Sequence, residues 1–309
     1  MIVILNPSAG GGRAQSRWIE FIRETDSRLR NAKVYAFNNP GNYSESVYKS
    51  LQRGETEFVA AGGDGTLNFL LNLLIESADD EQFFNIKLGA VGLGSSNDFH
   101  KPLSHNNSLQ YPNKINFERV TPRDICYLSY SDKNVRKKKY FLNNASLGLT
   151  AEGNKLFNLH GRLLKLLKSI NTNTAIYYTA LKDILRYKNL EVNISRNGNE
   201  SFRCKLSNLG IIKNPHFSGN LKYDSRVDYT NGLFNIFLCE DMSRYEYLHL
   251  LRSLEKAQFS SIKKSTSWSE KEITITSGRL FTVEYDGETI ETDSVSFGIL
   301  KNRLKVCKC

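Results

Sequence analysis

The chain lacks the residue patterns that announce metals, disulfides and membranes. Its five cysteines (Cys126, Cys204, Cys239, Cys307 and Cys309) are odd in number and scattered, with no CxxC pair. That argues against both a zinc site and a disulfide framework. Cys307 and Cys309 flank a single residue and read as free thiols. The five histidines (His100, His105, His160, His216 and His249) fall in no metal-ligand spacing. No apolar run approaches the length of a membrane span, and Met1 to Leu5 is too short for a signal sequence, which points to a cytoplasmic protein. There are no internal repeats and no low-complexity linker. Neither a zinc finger nor an RNA-binding aromatic signature is present, so no nucleic-acid partner is expected.

What is present suits a soluble globular protein: 309 residues, 40% hydrophobic and 24% charged, long enough for two domains. The net charge of +10 favours anionic partners: nucleic acid, a nucleotide or an acidic membrane surface. The densest basic block, Arg136-Lys137-Lys138-Lys139, is explained as well by a solvated hairpin edge as by a binding role.

The most informative stretch is Ala60-Ala61-Gly62-Gly63-Asp64-Gly65-Thr66-Leu67-Asn68. The apolar run Glu57 to Ala61 before it reads as a buried strand, and Leu67, Leu70, Leu71, Leu74 and Ile75 after it recur at helical spacing. A glycine loop between a strand and a helix start exposes N–H groups to a ligand and forms an anion site. Asp64 would repel phosphate unless it handles a metal or a hydroxyl. The plainer alternative is that Asp64 or Thr66 merely caps the helix.

Two further loops follow the same plan. Met1 to Leu5 is a strand leading to Asn6-Pro7-Ser8-Ala9-Gly10-Gly11-Gly12 and a helix from Ala14 to about Leu29. Lys33 to Phe37 is a strand, and Ser44 to Arg53 a helix. Ile86 to Val91 is a strand closing on Gly92-Leu93-Gly94-Ser95-Ser96-Asn97-Asp98-Phe99. Strands alternating with helices imply right-handed crossovers and a parallel sheet, with all three loops at the carboxyl ends of strands.

From about Thr121 the texture changes to short alternating runs: Ile125 to Tyr130, Lys139 to Ala145, Leu190 to Ser195, Ser201 to Ser207 and Leu209 to Lys213. Asn197-Gly198 is a hairpin turn. Ile273 to Thr276 and Leu280 to Tyr285 are strands meeting at a Ser277-Gly278 turn, with a second turn at Asp286-Gly287-Glu288. One helical segment, Lys155 to about Tyr187, carries an apolar stripe (Leu156, Leu159, Leu163, Leu166, Leu167, Ile170) flanked by Lys155, Arg162, Lys165 and Lys168. It fits a helix packed on a sheet, or an exposed face that meets a membrane.

These motifs resemble those of the diacylglycerol kinase family of lipid kinases, the soluble bacterial type in particular. Asn6-Pro7-Ser8-Ala9-Gly10 resembles the opening loop, and Gly62-Gly63-Asp64-Gly65-Thr66-Leu67-Asn68 the nucleotide signature. Gly94-Ser95-Ser96-Asn97-Asp98-Phe99 is similar to the G-T-G-N-D-F loop, with serine for the usual threonine and second glycine. Asp124 sits where the family has a domain-junction aspartate. Tyr140 to Ala145 resembles the Y-F-x-N strand. Asn214 with Phe217-Ser218-Gly219-Asn220 is similar to N-x-x-x-x-G-G, and Asp286-Gly287-Glu288 matches the D-G-E of the general base.

The resemblance implies an α/β N-terminal parallel-sheet nucleotide domain of the NAD kinase and diacylglycerol kinase type, over 1-122 and joined by the returning segment at about 297-309. It also implies a C-terminal β-sandwich lipid-substrate domain over 123-296, with lipid entering the cleft between the two. The implied activity is transfer of the γ-phosphoryl of ATP to a lipid hydroxyl. Asn6, Ser8, Gly10, Gly62, Gly63, Asp64, Gly65, Thr66, Leu67, Asn68, Ser95 and Asn97 would hold ATP. Asp64 would hold catalytic Mg²⁺, with Asp124 helping through water, and Glu288 would act as base. A structural Mg²⁺ site would use Asp228, Asn231 and Leu233, where Asn231 replaces the family's carboxylate with a neutral amide, a poorer ligand for magnesium. The implied setting is cytoplasmic, with peripheral contact to an anionic membrane and a homodimer left open. A soluble kinase of the NAD kinase type, or a catalytically silent nucleotide- or lipid-binding module, are the alternatives.

Overall fold

Ile2, Val3, Ile4 and Leu5 are all buried, as befits a short apolar strand covered on both faces. The computed structural model describes residues 1–25, 27–36, 40–103, 110–132, 135–158, 186–196, 200–226 and 228–309. The chain divides into two units: Met1–Ile125 with Lys301–Cys309, and Cys126–Leu300.

The first unit is built on β1 (Ile2–Leu5), β2 (Lys33–Ala36), β3 (Glu57–Gly62) and β4 (Lys87–Gly92). β1 lies between β2 and β3, β3 pairs with β4, and every one of these pairings is parallel. Helices Ala14–Glu24, Pro40–Gln52 and Asp64–Ser77 form the crossovers between successive strands. The short β5 (Asn113–Lys114) runs antiparallel to β4. Trp18 and Phe21 of the first helix pack with Val3, Val59 and Val91, forming a core on one sheet face.

Two long strands carry the chain onward and back: β6 (Asn116–Asp132) leaves the first unit, and the last strand, described below, returns to it. The second unit then adds β7 (Val135–Phe141), β8 (Asn144–Gly148), β9 (Leu190–Arg196), β10 (Glu200–Ile212), β11 (His216–Phe217) and β12 (Leu221–Lys222). β13 (Phe234–Glu240), β14 (Ser265–Glu270), β15 (Glu272–Tyr285) and β16 (Glu288–Lys308) complete it. Its pairings are antiparallel, in the order β14-β13-β10-β8-β15-β16, and β9 also pairs with β10 and β15. Inward residues such as Phe141, Phe234, Ile236 and Phe297 fill one core. A second core surrounds helix Arg244–Glu255, where Tyr223 stacks between Phe217 and Phe237 at centroid distances of 5.1 and 4.4 Å. In the first unit, Lys305 and Val306 of β16 pair in parallel with Lys87 and Leu88 of β4. The expected mixed α/β character is present, and the molecule is rich in sheet.

Several local expectations are corrected. Ser277-Gly278 is no turn: β15 runs through it, with a register shift between Thr276 and Phe281. Exposed Gly278, Arg279 and Leu280 bulge outward while Ile273 and Val283 on either side stay buried, so burial holds the strand together across the bulge. Lys139 to Ala145 is two strands and not one, broken at Leu142-Asn143. Helix Leu149–Asn158 contains the start of the apolar stripe. Leu159, Arg162, Leu163, Lys165, Leu166, Leu167, Lys168 and Ile170 lie outside the described residues, as does the Asn197-Gly198 turn. Lys155 is described and forms a 2.7 Å ion pair with Glu291.

Candidate functional site

Three loops meet at the carboxyl ends of β1, β3 and β4, and side chains tie each loop to the other two. Asn6 Nδ2 donates to Thr66 Oγ1 at 3.2 Å, joining the first loop to the second. Arg17 Nη1 donates to Leu93 O at 2.9 Å and Gly94 O at 3.2 Å, joining the helix after the first loop to the third. Asp64 joins the second to the third by accepting from Asp98 N and Phe99 N. The loops touch so closely that a Cβ at Gly94 would lie 2.5 Å from Gly63 Cα, which leaves glycine as the residue that fits.

The predicted nucleotide residues are thus brought together, with differing jobs. Ser8, Gly65 and Ser95 are exposed at the loop tips, where a ligand can reach them. Gly62, Gly63, Asp64, Asn97, Phe99 and His100 line a cleft beside the first turn of helix Asp64–Ser77. The N–H groups of a helix's first turn have no carbonyl partner within the helix, so they favour an anion. Gly63 caps that helix without a side-chain bond, so the alternative in which Asp64 or Thr66 serves as its N-cap does not hold. Leu67 and Asn68 are buried at 3% and 4% exposure, and Leu67 also lines the cleft. Gly10 is buried, with its backbone against Leu93. Asn97 adopts a left-handed conformation and holds its own loop, accepting from Gly94 N at 3.0 Å and donating to Gly92 O at 3.2 Å.

His100, to which no role was expected, is buried at the base of the cleft. Burial, with the positive charges of Lys114 and Arg123, lowers its pKa to about 3, so it stays neutral. Its Nδ1 is buried and has no hydrogen-bond partner among the described residues. Arg123 lies 4.6 Å over the Phe99 ring and backs the third loop.

Asp124 occupies a different place. It is fully buried, and Oδ1 accepts from Asn302 N at 2.7 Å, where the returning strand bends through a left-handed residue. It is not among the residues lining the cleft. Its visible task is to anchor the chain's return.

In the second unit, Asp286 and Gly287 form a two-residue hairpin turn between Tyr285 and Glu288. Both have positive φ, 44° and 94°, as a tight hairpin turn of this hand requires. The Asp286 carboxylate accepts from the main-chain N–H of Leu142, Asn143 and Asn144 at 2.8, 2.9 and 3.2 Å. Glu284 accepts from Ser146 Oγ and Gly287 N, both at 2.8 Å. Two buried carboxylates therefore fix the turn, and Glu288 is presented exposed at its end. Glu284 was not expected, since an alternating strand gives no sign that one of its members faces its own turn.

The implied structural Mg²⁺ site does not fit its residues. Asn231 Oδ1 accepts from Lys213 Nζ at 2.8 Å and from Leu233 N at 3.0 Å, which uses both of its lone pairs. Leu233 O accepts from Lys213 Nζ at 2.8 Å. Asp228 Oδ1 is taken by Thr230 N and Oγ1. Among the described residues no group of three or more His, Cys, Asp or Glu is placed to hold a metal.

The mixed α/β sheet with its three joined loops defines the class: a fold of the kind shared by diacylglycerol kinases and NAD-type kinases. Residues 1–127 match the family model described as the diacylglycerol kinase catalytic domain. A Staphylococcus aureus protein named diacylglycerol kinase is 23% identical over 290 residues, 93% of this chain and 85% of that one. A solved Bacillus anthracis protein described as a diacylglycerol kinase superposes with TM-score 0.64 and 15% identity, covering 100% of this chain and 96% of that one. The yeast NADH kinase complexed with NADH gives TM-score 0.50 and 11% identity, covering 99% and 81%. The resemblance read from the sequence is borne out at the level of the family.

Proposed function

We propose that this protein is an ATP-dependent lipid kinase that transfers the γ-phosphoryl of ATP to a lipid hydroxyl, with diacylglycerol or a related lipid alcohol as acceptor. The observation that carries the reading is the mutual bonding of three small-residue loops at one edge of a parallel sheet, in a chain whose named relatives are diacylglycerol kinases.

Phosphoryl transfer asks a protein mainly to position phosphates, balance their charge and align the attacking oxygen. The Gly62-Gly63 turn and the first turn of helix Asp64–Ser77 offer main-chain N–H groups for the phosphates. Ser8 and Ser95, exposed at the neighbouring tips, offer hydroxyl groups. Asp64 fits Mg²⁺: it is a partly exposed hard oxygen ligand, and magnesium commonly takes one or two carboxylates with phosphates and waters completing its shell. When bound there, the ion would neutralise charge on the phosphates. Glu288, exposed at the end of a pinned turn, would accept the proton of the lipid hydroxyl. The lipid would be met at an anionic membrane surface, in keeping with the net charge of +10. No helix among the described residues is long and apolar enough to cross a membrane.

The deciding experiment measures ATP consumption against a panel of lipid alcohols in mixed micelles, with NAD as a separate acceptor. Phosphorylation of a lipid supports the proposal. Phosphorylation of NAD alone, or ATP binding with no transfer to any acceptor, overturns it.

A further inference from the structure

We propose that the Lys213 ammonium takes the place of a divalent cation in the second unit, so that the protein carries a built-in, metal-free cation there. Lys213 follows directly on β10 and is 3% exposed. A lysine is rarely buried so fully unless its charge is met by acceptors. Here its Nζ is 2.8 Å from both Asn231 Oδ1 and Leu233 O. These are the side-chain and carbonyl oxygens that the family resemblance would assign to magnesium. A distance of 2.8 Å is that of an N–H···O bond, well beyond the 2.0–2.1 Å of a magnesium ligand.

The amide at position 231 makes sense beside this lysine. A carboxylate and a divalent ion would leave a buried ammonium facing like charge. A neutral amide whose one oxygen accepts from both Lys213 Nζ and Leu233 N leaves no lone pair for a metal. The remaining charge is supplied by the Asp228 carboxylate, whose Oδ1 accepts from Thr230 N at 2.9 Å and from Thr230 Oγ1 at 3.2 Å. One cation and one anion thus balance where a metal would bring two positive charges.

The position also matters for the rest of the unit. Lys213 N and Asn214 N both donate to Asn143 O, at 2.8 and 2.7 Å, and Asn143 N donates to Asp286. The ammonium therefore ties the Asp228–Leu233 loop to the same hydrogen-bonded cluster that holds the Asp286-Gly287 turn.

The test is made without ATP or lipid, so its failure is separate from failure of the lipid kinase proposal. Thermal unfolding of the full chain is followed with EDTA and with Mg²⁺ alone, for wild type, Lys213→Met and the double variant Lys213→Met/Asn231→Asp. Wild-type Tm is expected to be the same under both conditions. Lys213→Met should lower Tm by about 5 °C or more, with no recovery in Mg²⁺, because two charge-assisted bonds are lost and Asn231 stays neutral. The double variant should regain stability as Mg²⁺ is added, since a carboxylate now faces an emptied position. A wild-type Tm that falls in EDTA and returns with Mg²⁺, and a Lys213→Met Tm equal to wild type, each overturn the proposal. Should the double variant fail to fold, the wild-type chelation experiment still decides.

Discussion

The Asp64 carboxylate grips the main chain of Phe99: Oδ1 accepts from Phe99 N at 2.9 Å, while Oδ2 accepts from Asp98 N at 3.0 Å. A residue expected to face the nucleotide is thus also the bolt between two of the three loops. The two tasks are compatible, since each carboxylate oxygen accepts more than one bond.

That double role changes what Asp64→Asn should do. Asparagine keeps one acceptor oxygen and turns an NH₂ toward a main-chain N–H, losing a bond and opposing two donors. The stability loss should be about 1–3 kcal/mol, alongside loss of turnover. Parallel measurement of Tm and ATP consumption checks this. Near-normal turnover by a folded variant refutes the role at the nucleotide, and an unchanged Tm refutes the bolt.

Arg17 gives a cleaner probe of the loop arrangement, because it bonds to the third loop through the main-chain carbonyls of Leu93 and Gly94. Arg17→Met keeps the apolar stem and removes both bonds. ATP affinity should weaken about tenfold, equivalent to about 1.4 kcal/mol, with turnover at saturating ATP largely kept. Separate determination of KM for ATP and kcat tests it. A fall in kcat at unchanged KM points away from loop placement.

How much of this was legible in sequence depends on what kind of atom does the bonding. The three loops could be read because glycine, serine and asparagine at strand ends carry a backbone requirement in their identity. That Asp64 and Asp124 bond to main-chain N–H groups could not be read, since every residue but proline offers the same donor. Asp124 reaches Asn302 across a separation of 178 residues, and the returning strand brings them together. Lys213 stands alone in Ile211-Ile212-Lys213-Asn214, with no spacing that marks a buried cation. Ser277-Gly278 read as a turn because its composition is that of a turn, while burial on either side carried the strand through it.

His100 should give the protein an acid-sensitive limb. Its folded pKa, lowered to about 3, lies below the unfolded value of about 6.5, so between these values the unfolded chain binds the extra proton. Its contribution is fully present above pH 6.5 and is lost as pH falls toward 3, by about 1.4 kcal/mol per pH unit. Urea unfolding from pH 7 down to 4.5 should show His100→Gln losing stability less steeply than wild type, by close to one proton's worth of slope. Identical slopes in the two proteins would show that His100 ionises freely in the folded state.

The last prediction separates Glu288 from the two carboxylates that hold its turn. Glu288 is exposed and follows a two-residue turn, so its removal should cost the fold little. Glu288→Gln keeps the size and loses the basicity, and if the residue accepts the acceptor's proton, turnover should fall by about 10²–10⁴-fold. Tm and ATP affinity should stay near wild type. Asp286 is buried and accepts from the N–H groups of Leu142, Asn143 and Asn144, so Asp286→Ala strands three donors. Each buried donor left without a partner costs about 1–3 kcal/mol, so this variant should lose several degrees of Tm as well as activity. Glu284→Gln should fall between the two, because its oxygen can still accept from Gly287 N while Ser146 must turn from donor to acceptor and the charge is lost. Measuring Tm, ATP affinity and turnover on all three variants gives each residue a distinct pattern. If Glu288→Gln lowers turnover only in proportion to a fall in Tm, or leaves turnover intact, the residue is a turn carboxylate and the base lies elsewhere.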